Sequence, residues 1–172
     1  MAVIEAIATQ YLEADAASVT FSSLGSYEHL QLRYSAKEDA TGNEGALGLR
    51  FNGDTGGNYT YHRMQGSVST VSATGGTSQN AIYLYYCTTN GDNASVYGTT
   101  VLDILDYRNA NKNTTVQCSN GNVGGGTSPN RVVFESGLWD NTAAVTSITL
   151  TIGWGSNIVR GSEFTLYGLN SS

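Results

Sequence analysis

Residues 50–63 read "RFNGDTGGNYTYHR", and Asn52, Asp54 and Asn58 concentrate the kind of oxygen donors a calcium loop uses. Counted from Asn52, the glycine expected at position 6 is present as Gly57. Position 12, however, is Arg63, where the bidentate carboxylate of an EF-hand belongs. The flanking segments also alternate like strands, so the helix-loop-helix frame is missing. The better reading of 52–58 is a turn. The Asn52-Gly53 and Gly56-Gly57 pairs both accept positive φ and join Leu49–Phe51 to Tyr59–Tyr61. A looser calcium site through Asp54, Asn52 and backbone oxygens is the alternative. No metal or cofactor is expected.

Acid–base and nucleophilic chemistry find little support. His29 and His62 both fall in strand-like runs, away from the turns where a β fold usually mounts catalysis, so both read as structural. Asp103 and Asp106 stand three positions apart in "LDILDY"; in a strand they face opposite sides and cannot share a general acid–base site. Glu135 and Asp140 flank "SGLW", where either can approach a neighbour that the sequence does not identify. Cys87 and Cys118 lack the close spacing of metal-binding pairs and read as two buried thiols, with a disulfide as the alternative. The chain reads as a non-enzyme with no catalytic residues.

The tyrosines are more informative. In "NAIYLYYC", Ile82, Leu84 and Tyr86 fall on one face, and Ala81, Tyr83, Tyr85 and Cys87 on the other. With the first set in the core, Tyr83 and Tyr85 point outward or toward a second layer. There they suit a protein interface, stacking on sugar rings, or plain cross-strand packing.

Positioning these groups falls to strands. "HLQLRYSA" aligns Leu30, Leu32, Tyr34 and Ala36; "ALGLRF" aligns Leu47, Leu49 and Phe51. "SITLTIGW" aligns Ile148, Leu150, Ile152 and Trp154, and "EFTLYGL" aligns Phe164 and Leu166. About ten strands emerge, near 3–12, 18–22, 28–37, 46–52, 59–68, 80–88, 96–107, 113–119, 131–138, 145–153 and 162–169. Between them lie clusters rich in Gly, Asn, Asp and Ser, including "SATGGTSQ" and "SNGNVGGGTSPN". No helix is expected. Residues 1–16 read as an edge strand or extended arm, and 17–172 as one antiparallel β-sandwich, in jelly-roll form, with an up-and-down barrel as the alternative.

Composition agrees with that class. The 172 residues include 21 Gly, 11 Tyr and one Pro, and only 13% are charged. Helical surfaces would want more Glu, Lys and Arg. The net charge is −6 and the eight Lys and Arg are scattered singly, which disfavours nucleic acid as a partner because phosphate binding needs clustered cations. No apolar run approaches the length of a spanning helix, so no membrane partner is expected. The start "MAVIEAIATQYLEADAASV" carries Glu5 and no basic region, unlike a secretory signal.

Six stretches together carry a resemblance: "ASVTFSSL", "HLQLRYSA", "LGLRFNGDTGGNYTYHR", "VLDILDYRNANKNTTV", "SGLWDNTAAVTSITLTI" and "GSEFTLYGL". They resemble a family of tailed-bacteriophage virion structural proteins found in phages of marine bacteria and cyanobacteria. The likeness spans nearly the whole chain, and its most specific parts are the Arg-Phe-Asn-Gly-Asp turn and the Leu-Asp-Ile-Leu-Asp-Tyr segment. It implies a small β-sandwich on the outside of a virion, made and assembled in the host bacterial cytoplasm. The expected role is capsid decoration (head cement): a homotrimer binding the major capsid protein and stabilising the head. The alternative is a receptor- or carbohydrate-binding tip of a tail or head fibre, with a host glycan as partner.

Overall fold

The computed structural model describes residues 3–42, 45–123 and 130–171. They form β1 (Ile4–Tyr11), β2 (Ser18–Phe21), β3 (His29–Glu38), β4 (Gly45–Phe51), β5 (Tyr59–Ser67) and β6 (Thr70–Gln79). These are followed by β7 (Ile82–Thr89), β8 (Gly98–Ile104), β9 (Thr114–Asn122), β10 (Arg131–Trp139), β11 (Ile148–Ile152) and β12 (Glu163–Leu169). The protein is all-β, and no described residue is helical.

One antiparallel arm of the sheet runs β1-β12-β3-β8-β9-β10-β5-β6, and a second runs β2-β11-β4-β7. They are joined where β3 and β7 pair in parallel for two residues, Lys37 with Thr88 and Glu38 with Thr89. Both arms feed one buried cluster: Leu30, Leu32, Leu102 and Phe164 from the first, Leu47, Leu49, Ile82 and Leu150 from the second. Their approach is tight. A Cβ on Gly137 of β10 would lie 2.7 Å from the Ile82 side chain of β7, so only glycine fits there.

The described residues form twelve strands, one of which sequence reading places in a turn. "SATGGTSQ" lies within β6, whose Gly75, Gly76 and hydroxyl side chains imitate turn chemistry because an edge strand with both faces exposed needs no apolar alternation. Likewise β9 runs on to Asn122, beyond the expected end at 119; the remainder of that cluster, 124–129, lies outside the described residues. Residues 1 and 2 of the expected arm also lie outside them, while β1 pairs with β12 as an edge strand.

Two side-chain assignments need correction. Tyr86 does not continue the Ile82–Leu84 core face. It has φ 69° and is the extra residue of a bulge: Gly45 pairs with Cys87 and Ala46 with Tyr85, leaving Tyr86 unmatched. The alternation therefore reverses, so that Cys87 enters the main core while Tyr85 and Tyr86 form a second cluster with Ala46 and Val133. Trp154 does not extend the core row of β11 either; that strand ends at Ile152 and Trp154 is 55% exposed.

Candidate functional site

Residues 52–58 form a turn that carries the chain from β4 in one arm to β5 in the other, held by the side chains of Asn52 and Asp54. Asn52 and Gly53 have φ of 54° and 69°, and the Asp54 N–H donates to the Phe51 carbonyl at 2.9 Å, the form of a type I′ turn. Asn52 Oδ1 accepts from the Thr146 and Ser147 amides and from the Thr146 hydroxyl, while its Nδ2 donates to the Ala144 carbonyl. The Asp54 carboxylate receives Trp139 Nε1 at 2.8 Å, Asn58 Nδ2 at 2.9 Å and the Gly56 amide at 2.8 Å. The Trp139 indole N–H, aided by Asn58 and Gly56, holds that carboxyl below its usual range. Asp54 thus serves a buried tryptophan. Asp54→Ala should cost about 2 kcal/mol by orphaning that indole N–H, and calcium should leave the wild-type melting temperature unchanged. Thermal melts with and without calcium check both.

The other sequence candidates are dispersed. His29 Nδ1 accepts the Asp106 amide at 3.0 Å and lies 3.3 Å from the Asp106 carboxylate, which also binds Lys112. Asp106 is not in a strand as read from sequence; β8 ends at Ile104 and Asp106 sits in the following turn with φ 51°. Asp103 instead accepts Gln31 Nε2 at 2.7 Å. His62 is exposed on β5, cross-strand from Ser136. Asp140 accepts Asn113 Nδ2. Cys87 and Cys118 are free and buried, and burial pushes both thiols up, away from nucleophilic character. Among the described residues, no three His, Cys, Asp or Glu side chains are grouped to hold a metal.

What does assemble is aromatic. Tyr83 of β7 stacks on Trp154 at 9° and 6.1 Å between centroids, and Tyr85 lies 6.2 Å from the same indole. Tyr61 of β5 completes the group, 5.7 Å from Tyr85 and edge-on to Tyr83, with its hydroxyl 3.3 Å from that of Tyr85. Arg63 lies beneath, its guanidinium 3.5 Å from the Tyr85 ring centre in cation–π contact. Tyr85 is itself largely buried, so the outward stripe expected at Tyr83 and Tyr85 is realised by Tyr83, Tyr61 and Trp154.

Two buried carboxylates fix this platform. The bulge at Tyr86 interrupts the β4–β7 ladder beside the Ala46 and Tyr85 amides, and a buried donor must find a partner. Glu38 Oε2 accepts the Ala46 N–H at 3.0 Å, and Glu135 Oε2 accepts the Tyr85 N–H at 3.2 Å. Glu38 Oε1 also receives the consecutive amides of Gly153, Trp154 and Gly155 at 3.1, 2.8 and 3.0 Å. Asp39 Oδ1 takes the next two, Ser156 at 2.7 Å and Asn157 at 3.0 Å. The loop that presents Trp154 is thereby pinned from below by one fully buried carboxylate and its neighbour. Glu135, 3% exposed, has its carboxyl raised to about 7, chiefly by burial; the Tyr85 amide and the Arg63 guanidinium oppose the shift.

A second surface lies on the outward face of the first arm. Val101, Val132, Phe134 and Met64 point away from the core there, within or beside a shallow depression of about 680 Å3 that reaches to Tyr167. Sequence reading does not single out this face, because isolated outward apolar residues in three strands, β5, β8 and β10, are unremarkable until the strand order brings them onto one face. Trp154, flanked by glycines in the turn cluster "WGSNIVRGS", carries a legible signal of its own. No protein-family model and no curated protein matches the chain.

Proposed function

We propose that the chain is a virion structural protein of a tailed phage, a decoration protein that lies on the outer surface of the major capsid lattice and stabilises the head. Its two arms are read as the layers of an antiparallel jelly-roll sandwich, presented as trimers at capsid three-fold positions. The observation that carries this reading is the outward face of the first arm, where Phe134 is 51% exposed beside Val132, Val101 and Met64. Apolar side chains side by side on an open sheet mark a surface built to be covered. Many such modest contacts, repeated over a shell, make the whole hard to burst. The sequence likeness to phage virion proteins points the same way.

The test is binding to expanded, undecorated capsids. Wild-type protein should bind saturably, and Phe134→Glu should weaken binding at least tenfold while leaving the melting temperature nearly unchanged, since the side chain points outward. Absence of saturable binding contradicts the reading.

The Tyr83–Trp154 pair supports a second reading, a fibre tip that binds a host glycan. An exposed indole held rigid beside a second ring suits stacking against a sugar. Under that reading Trp154→Ala removes binding on a glycan array with circular dichroism unchanged, and wild-type protein shows no saturable binding to undecorated capsids.

A further inference from the structure

The outer edge of β6 carries an interaction of its own. Among the described residues, β6 is the last strand of its arm and pairs only with β5. Free edges are ordinarily blunted by charge, shortness, bulges or proline. The other two ends of the sheet show such devices: β2 is four residues long, and β1 carries Glu5 and a register break between Ala6 and Ala8. Over Thr70–Gly76 β6 has none of them. The segment "TVSATGG" has no charge and no proline, is regularly paired on its inner side, and is exposed from Thr70 to Gly75.

We propose that two copies of this chain join through β6, antiparallel, across a two-fold axis at Ala73. The geometry selects the register. The hairpin closes on Ser67 and Thr70 with two loop residues, so that pair exchanges both its backbone hydrogen bonds. Alternation then turns Thr70, Ser72 and Thr74 toward β5 and leaves the N–H and C=O groups of Val71, Ala73 and Gly75 directed at the open edge. Centred on Ala73, the segment is self-complementary. Val71 stands opposite the partner's Gly75, Ala73 opposite the partner's Ala73, and Ser72 opposite the partner's Thr74. Each bulky residue meets a small one, and hydroxyls meet hydroxyls on the other face. The absence of charge matters for a second copy in particular, because a two-fold axis sets every side chain near its own equivalent. Ser78, with φ 53°, ends the regular stretch and limits the pairing to 70–76. The proposal is independent of the capsid and glycan readings.

Sedimentation of the full chain tests it. The particle mass should be an even multiple of the 18.2 kDa chain, six chains where trimers also form, and should halve in Ala73→Asp and Ala73→Lys, with circular dichroism unchanged; a wild-type particle of three chains overturns the proposal. The dimer dissociation constant should rise at least tenfold in both. Ala73→Cys should cross-link to itself under mild oxidation, since the native thiols are buried. Val71→Cys should not, because its two copies lie about 13 Å apart along the strands, beyond disulfide reach. A chain that stays monomeric up to its solubility limit overturns the proposal. So does association that survives both Ala73 charges, or equal cross-linking at positions 71 and 73.

Discussion

Glu38→Ala is expected to lower stability by about 4 kcal/mol, a large share of the ~5–15 kcal/mol available to a domain of this kind. The carboxylate lies fully buried and accepts four backbone amides, from Ala46, Gly153, Trp154 and Gly155. Alanine supplies no acceptor, and the bulged β4–β7 ladder offers no replacement for Ala46. Urea titration followed by circular dichroism measures the loss. Tryptophan emission reads the local consequence, because the unpinned 153–155 segment lets the Trp154 ring leave Tyr83. Glu38→Gln keeps one carbonyl oxygen but turns an amide N–H2 toward donors, and should lose about half as much. A loss under about 1 kcal/mol for Glu38→Ala contradicts the assigned role.

The second large effect concerns pH. Glu135 has a folded pKa of about 7, raised by burial from an ordinary 4.5, so between those values the folded chain holds a proton that the unfolded chain releases. Stability therefore falls as pH rises from about 4.5 to about 7 and stays lower above that, by on the order of 3 kcal/mol. Facing Glu135 are Cys118 of β9 and Tyr85 of β7, both pushed up by burial, and cationic Arg63 of β5, which limits the shift. Glu135→Gln keeps an acceptor for the Tyr85 amide without a charge. It should match wild type near pH 4, exceed it by on the order of 3 kcal/mol at pH 8, and erase the slope between. Asp39 and Asp54 act oppositely on the acid side. Backbone amides of Asn157 and Ser156 hold Asp39 low, and the Trp139 indole holds Asp54 low. Their contributions are present above the unfolded carboxylate range and are lost as pH falls through the folded values. Parallel stability curves for wild type and Glu135→Gln contradict this account.

The strands were largely legible because most of them bury one face, and one buried face writes period two into the sequence, as at Leu30, Leu32, Tyr34 and Ala36. β6 escaped because neither of its faces is buried, so nothing selects apolar residues at alternate positions. The turn at 52–58 was legible from Asn-Gly chemistry, but the use of Asp54 was not, since Trp139 reaches it from 85 residues away. The aromatic site was half legible. Tyr83 could be named; the switch at Tyr86 could not, because a bulge depends on the partner strand's register. Glu38 stands in "YSAKED" with no motif or spacing that singles it out. Its role arises only when the 153–157 loop folds over it.

We propose that this protein works through its outer surfaces, as one of many copies coating a phage head. Quantitative protein stoichiometry of the intact particle tests that most directly. The account predicts hundreds of copies per virion, in fixed proportion to the major capsid protein. Tens of copies or fewer would contradict it and place the chain at a fibre tip; complete absence from the particle would remove it from the virion altogether.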